Sequence, residues 1–267
     1  MSGLSPLQIE IIKAPTADKP FLVIYKPKGL PSAPLTPQDS ENALAQAIAA
    51  YPQIKSVCGK KAIEYGLLHR LDTATDGLLL VAVSQEFYDF LLMEQMEGRF
   101  IKTYSAQCNI NPDNARLLGA FPPLEKDLSL RGAPEAKQSL TVSSYFRPYG
   151  QGRKEVRPVT EESGKAAILK LGSKKLYTTK IEINKLSDNS ASAVCEIAEG
   201  YRQQVRCHLA WAGFPVKGDS LYNSNCRLDE NQNDKKNAEN LLFSATKISF
   251  EYPRGDLNSY DRKDTWT

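Results

Sequence analysis

Leu68-His69-Arg70-Leu71-Asp72-Thr73-Ala74-Thr75-Asp76-Gly77, followed at once by Leu78-Leu79-Leu80-Val81-Ala82-Val83, is the stretch on which the reading of this chain turns. Its first ten residues crowd a histidine, an arginine, two carboxylates and two hydroxyls into a turn. The next six are a continuous apolar run, the pattern of a strand buried on both faces. Polar side chains on a loop anchored to a rigid strand are where sites commonly form. The same residues also suit an ordinary turn, in which Asp72 and Asp76 satisfy backbone amides and Gly77 permits a tight bend.

Upstream, Phe21-Leu22-Val23-Ile24-Tyr25 reads as a strand, and Pro27, Gly29, Pro31 and Pro34 then break regular structure. A helix is expected over Glu41–Ala50, capped by Ser40. Downstream, Ser84 caps a helix carrying Phe87, Phe90, Leu91 and Met96, with Gly98 as its stop. Lys102–Cys108 returns to strand. Residues 121–165 are rich in Pro, Gly and charge and read as a basic, loop-rich excursion with little core. Strands are expected near Leu176–Ile183, Ala191–Ile197 and Leu241–Phe250, and a helix over Gly200–Ala212. There is no internal repeat. Strands and helices do not strictly alternate, which favours an α+β sheet over a doubly wound parallel one. The expected organisation is an N-terminal segment 1–20, one catalytic domain over 21–254 and a polar tail over 255–267 that frays.

The 267 residues are 41 % hydrophobic, enough for a sizeable core. The net charge of +3 is mild, but its distribution is not even: Arg147 to Lys185 holds ten basic residues against four acidic ones. A basic segment between neutral flanks fits either an RNA-facing surface or a solvated loop. Tyr145, Phe146 and Tyr149 interleave there with Arg147, Arg153 and Lys154, a pattern able to stack on and neutralise RNA. Cys58, Cys108, Cys195, Cys207 and Cys226 are odd in number and none stands in C-x-x-C spacing, which argues against a disulfide framework and a structural zinc site. Residues 1–20 carry charges and prolines where a signal peptide needs an apolar run, and no stretch has the ~20 apolar residues of a membrane helix. A soluble, cytoplasmic protein is the expectation.

His69-Arg70-Leu71-Asp72-x-x-Thr75-x-Gly77 resembles the signature of the RluA family of pseudouridine synthases. Three further segments match in order: Tyr25-Lys26-Pro27-Lys28-Gly29-Leu30-Pro31, Lys102-Thr103-Tyr104, and Gly200 through Tyr222, with Gln204-Val205-Arg206-x-His208-Leu209 and Gly218-Asp219-x-Leu221-Tyr222 inside it. Four ordered motifs are far more specific than any one of them. The resemblance implies a mixed, mainly antiparallel sheet with a central cleft flanked by helices and loops. It implies isomerisation of uridine to pseudouridine in a structured RNA, with no cofactor and no metal. It further implies that Asp72 is the catalytic carboxylate, that Arg206 holds it ionised, and that Tyr104 stacks on the uracil and approaches C5. Arg70 would fill the gap left by an extruded base, and Leu209 would line the pocket. His69, Thr75 and Arg202 complete the candidate RNA- or base-contacting residues. His69 and His208, the two histidines, are expected to hydrogen-bond backbone near the cleft.

The chain departs from the family pattern at Tyr201, Arg202 and Gln203, where an arginine, a polar residue and a histidine are usual, and at Asp76, which is more often serine. The span before Phe21 has no room for the small S4 RNA-binding domain of many relatives. Large-subunit (23S) ribosomal RNA is the first expected substrate and tRNA the second, acted on by a monomer. Two rival readings remain. A glycoside hydrolase would use Asp72 and Asp76 as acid and base at defined separation. A non-catalytic RNA-binding or RNA-folding module would keep the fold without the chemistry.

Overall fold

The computed structural model describes residues 7–124, 137–227, 240–252 and 257–262. Contacts divide the chain into two compact units, where the sequence suggested one catalytic domain over 21–254. The first comprises residues up to Lys102 together with the stretch from Ser244 onward, and the second runs from Thr103 to Phe243.

The first unit opens with β1 (Glu10–Lys13) and β2 (Phe21–Lys26), then α1 (Ala43–Ala50), β3 (Asp76–Ala82) and α2 (Gln85–Met96). The chain leaves it inside β4 (Ile101–Asn109). The second unit continues with α3 (Asn114–Leu118), β5 (Lys137–Tyr149), β6 (Glu155–Val159), α4 (Lys165–Ile168), β7 (Tyr177–Ser187), β8 (Ser190–Ile197), α5 (Gln204–Trp211) and α6 (Ser224–Arg227). The return is made by β9 (Phe243–Glu251), followed by β10 (Leu257–Asp261).

In the first unit β1, β2 and β3 pair antiparallel, β9 joins β3 in parallel, and β10 closes the edge antiparallel to β9. All seven residues of β3 are buried, as its unbroken apolar run requires. Its core gathers Phe21, Leu78, Leu80, Phe87, Leu91, Phe100 and Phe250. Phe21 stacks on Phe87 at 4.8 Å and meets Phe250 edge-on at 5.5 Å, the arrangement that ring quadrupoles favour. α2 begins where the sequence placed it, with Ser84 accepting from the Phe87 amide. α1 begins later than expected: Asn42, not Ser40, caps it by accepting from the Ala45 amide.

In the second unit the strand order is β4, β8, β7, β5, β6. β5 pairs antiparallel with both β7 and β6, and β7 with β8. Both units therefore build a mixed, mainly antiparallel sheet framework with few helices. Much of the expected loop-rich excursion is ordered sheet: β5 has 13 residues, and Val142, Phe146, Val156 and Val159 are buried. Polar Ser143 and Ser144 blur the period-2 pattern there, and the flanking Pro148, Gly150 and Gly152 imitate a loop. Residues 125–136 of that excursion lie outside the described residues. The ends also differ from expectation, since Glu10–Lys13 and Leu257–Asp261 are edge strands; residues 1–6, 253–256 and 263–267 are not described. No helix among the described residues is long and apolar enough to cross a membrane.

Candidate active site

The loop that enters β3 is held by the segment that leaves β2. Ser32 Oγ both donates to the Leu71 carbonyl (2.8 Å) and accepts from the Leu71 amide (2.9 Å). The Gly29 amide donates to the Thr73 carbonyl at 2.8 Å, and the Thr75 amide turns back to the Asp72 carbonyl at 3.0 Å. Lys26, fully buried, donates to the carbonyls of Pro27 (3.0 Å) and Leu30 (2.8 Å) and reaches that of Thr73 at 3.4 Å. Hydrogen bonds on both sides of Asp72 thus fix the loop. That is the preorganisation a reacting group needs. Asp72 itself is half-buried.

The buried Lys26 charge also feels both of the loop's acids. Burial pushes its ammonium from the ordinary lysine value of 10.5 down to about 8, against the opposing pull of Asp76 and Asp72. Between these two values the unfolded chain binds more protons than the folded one, so this group's contribution to stability rises with pH there. Lys26→Met should remove that rise. The wild-type advantage in urea denaturation should grow by about 1–3 kcal/mol from pH ~7.5 to ~10. An advantage that stays flat across the range contradicts the assignment.

Asp76 is the second carboxylate of the loop, and its oxygens are engaged. It accepts from Tyr25 Oη at 2.8 Å and Ser244 Oγ at 2.6 Å, with Lys28 Nζ 3.9 Å away. It is buried. A carboxylate so committed is poorly placed as the second acid of a hydrolase. Gly77 explains itself by packing. Its φ is +133°, and a Cβ there would lie 2.3 Å from the Ala245 oxygen and 2.6 Å from its nitrogen, where β9 runs beside β3. Gly77→Ala should therefore cost about 2–4 kcal/mol, read as a lowered urea midpoint, because backbone rather than a flexible side chain must move. A loss below about 0.5 kcal/mol would show that β9 yields freely.

The other motif residues of this unit are placed as follows. Arg70 is half-exposed and paired with Glu64 at 3.1 Å, a surface contact worth little and cheaply broken. The Thr75 side chain is buried with its hydroxyl unpartnered. Contrary to expectation, His69 bonds no backbone: both ring nitrogens are buried without a hydrogen-bond partner, and the ring leans on Phe100. Burial, aided by the Lys102 charge, pushes its pKa down to about 3, so the ring is neutral.

Tyr104, Arg202, Arg206, His208 and Leu209 belong to the second unit. Tyr104 is buried in β4 and stacks on Phe243 at 5.2 Å with rings 2° from parallel. Arg206 makes a bidentate pair with Asp219: Nε to Oδ2 at 2.8 Å and Nη2 to Oδ1 at 2.7 Å. Both are buried. Asp219 Oδ1 also accepts from the amides of Leu221 and Tyr222, so the partner is itself held. Gly218, at φ +76°, brings the turn within 2.0 Å of the Asn240 oxygen as measured from an added Cβ, where only glycine fits. His208 is held by side chains, not backbone: Nε2 meets Ser144 Oγ at 3.0 Å and Nδ1 meets Thr179 Oγ1 at 2.8 Å. Leu209 is fully buried, so it shapes a wall from behind instead of presenting surface. α5 starts at Gln204, not Gly200, because Gln203 takes the left-handed conformation and Gln204 accepts from the Tyr201 amide. Arg202 and Gln203 reach back to carbonyls of the β5–β6 turn. Among the described residues there is no group of three or more His, Cys, Asp or Glu able to hold a metal ion.

Residues 20–211 match the family described as RNA pseudouridylate synthase, a span that takes in the Asp72 loop, Tyr104 and Arg206. The chain belongs to that family. It is similar to the dual-specificity RNA pseudouridine synthase RluA of Escherichia coli K12, 25 % identical over 237 residues that cover 88 % of this chain and 85 % of RluA. It is similar to the tRNA pseudouridine(31) synthase of Saccharomyces cerevisiae, 28 % identical over 208 residues, 77 % of this chain and 45 % of the yeast protein. A Mycoplasma pneumoniae relative described as an uncharacterized RNA pseudouridine synthase is 27 % identical over 205 residues, 77 % of this chain and 53 % of its own. The chain thus spans about half the length of these last two curated relatives. Among solved structures, human RNA pseudouridylate synthase domain containing 1 shares the fold, with a TM-score of 0.60 at 17 % identity, covering 100 % of this chain and 88 % of that one.

Lys26, Ser32, Tyr25 and Asp219 make side-chain contacts with motif residues that no local pattern announces. Each lay inside or beside a quoted motif, so the motifs held the signal. What pairs with what, across a span such as Ser32 to Leu71, is information only the fold supplies.

Proposed function

We propose that this chain isomerises specific uridines to pseudouridine in structured RNA, with Asp72 as the catalytic carboxylate. The observation that carries the reading is the Asp72 loop: it lies within the family match and is clamped by hydrogen bonds at Leu71, Thr73 and Thr75 on either side of Asp72. The reaction is an internal exchange. The N1–C1′ bond of uridine breaks, the base turns in place, a C5–C1′ bond forms, C5 loses a proton and N1 gains one. The Asp72 carboxylate acts on the sugar or base as the glycosidic bond opens. Tyr104, stacked on Phe243, is the aromatic side chain that meets the extruded uracil and brings its hydroxyl to C5. Arg70 leaves Glu64 at small cost to occupy the vacated stack.

The relatives named above act on tRNA or carry dual specificity by their descriptions. For this chain we favour 23S ribosomal RNA as substrate, then tRNA, with the enzyme acting as a monomer in the cytoplasm. The test is pseudouridine mapping of total RNA from cells with and without the gene. One or a few sites that vanish and return only with the intact gene identify enzyme and substrate together. No altered site in any RNA would favour the non-catalytic RNA-binding reading.

A further inference from the structure

β5 and β6 form a hairpin whose cross-strand partners include two arginines, Arg147 opposite Arg157. Like charges directly opposite each other destabilise a sheet, so their persistence needs a reason. Arg157 has a structural one. It is fully buried, donates to the carbonyls of Gly119 and Val156 at 3.1 Å each, meets Glu155 at 2.7 Å, and lies 4.4–5.7 Å from the ring centres of Tyr149, Phe121 and Tyr222. Even so its Nη2 is buried without a hydrogen-bond partner.

Arg147 has no such account. Its guanidinium lies 5.0 Å from the Tyr149 ring, and its Nε is buried and unpartnered. The one carboxylate at the hairpin, Glu155, is engaged by Arg157. Burial and the neighbouring Arg157 charge both press the Arg147 pKa downward, so the site is short of negative charge. Arg147, a half-exposed guanidinium with an orphaned donor beside the Tyr149 ring, suits an anion with several oxygens. Around the turn, Arg153 and Lys154 are exposed and extend the positive surface about 10 Å along the hairpin. From Arg147 to Arg157 the chain holds four basic residues and one acidic residue.

The turn is also fixed from outside. Arg202 donates to the Arg153 and Glu155 carbonyls, and Gln203 Nε2 donates to the Lys154 carbonyl at 3.1 Å while its oxygen accepts from Tyr222 Oη at 2.7 Å. Arg202 and Gln203 are positions where this chain departs from its family's usual residues. Their side chains are occupied in aiming the hairpin.

We propose that the β5–β6 hairpin is a phosphate-binding finger for the RNA backbone, with Arg147 as the direct phosphate ligand and Arg202 and Gln203 as positioning residues that hold its turn. The proposal rests on the RNA reading above and adds a contact surface outside the catalytic motifs. A phosphodiester supplies oxygens to the half-exposed Arg147 guanidinium.

The test is binding of a transcribed, unmodified tRNA at several salt concentrations to wild type, Arg147→Gln and Arg147→Lys. Arg147→Gln is expected to weaken binding about three- to tenfold at moderate salt and to lower the log K against log salt slope by about 1. Arg147→Lys keeps the slope, since the charge remains. An Arg147→Gln protein with wild-type affinity and slope overturns the proposal. Should Arg147→Gln fail to fold, the Arg147 Nε–H resonance of wild type, assigned by its absence from Arg147→Lys, decides: it must shift on adding oligouridylate, and a resonance that does not move overturns the proposal. Pseudouridine content of the same RNA is scored separately. Its absence with wild type counts against the catalytic reading and leaves the salt slopes to judge the finger.

Discussion

Asp219→Asn is expected to destabilise the folded chain by about 3–5 kcal/mol, the usual cost of removing one partner from a buried ion pair. Arg206 and Asp219 are both nearly inaccessible to water, and the pair is bidentate. Asparagine matches the shape of aspartate but turns an NH2 toward one of the two guanidinium donors, so one hydrogen bond becomes a donor–donor clash. The remaining charge is left buried beside an unmatched dipole. Asp219 Oδ1 also accepts from the Leu221 and Tyr222 amides, so the turn behind α5 loses part of its tie. Thermal unfolding should fall by on the order of 10 °C. Arg206→Met combined with Asp219→Leu should cost less than Asp219→Asn alone, because the double replacement leaves no unmatched charge. An Asp219→Asn loss below about 1 kcal/mol would mean the pair is worth no more than a surface bridge.

Asp72→Asn is expected to abolish pseudouridine formation, by about a thousandfold or more, equivalent to roughly 4 kcal/mol of lost transition-state stabilisation. The fold should tolerate it. Bonds through Ser32, Lys26, Gly29 and backbone groups hold the loop on both sides of Asp72. RNA affinity should not fall either, since the change removes a negative charge from an RNA-facing loop. That combination separates a catalytic role from a structural one: a variant that lost activity by unfolding would show it in its denaturation midpoint.

The buried strand β3 and the capped helix α2 were legible because each obeys one local rule: an unbroken apolar run in the first, a serine cap before a helical stripe in the second. The motif residues were legible as types in order. The β5–β6 hairpin was not, because Ser144 sits between Val142 and Phe146 where an apolar residue would mark the inward face. Ser144 is buried only because His208 from α5 meets it there, a tertiary match that no local pattern carries. His208 was read as a backbone ligand for the same reason. In the ordinary-turn reading Asp76 satisfies backbone amides. Its environment, Tyr25 on β2 and Ser244 on β9, shows it to be a buried acceptor that ties those strands to the loop. Arg202 was expected at RNA; its contacts are with the carbonyls of a hairpin about 50 residues earlier in the chain. Long-range hydrogen bonds of this kind leave no periodic trace in a sequence.

The most direct measurement is conversion of uridine to pseudouridine in transcribed 23S ribosomal RNA and tRNA by the purified chain, wild type against Asp72→Asn, with folding of both checked by denaturation. The account predicts pseudouridine at defined positions with wild type and none with Asp72→Asn, the two proteins unfolding at closely similar midpoints. Equal product from a folded Asp72→Asn protein would contradict it.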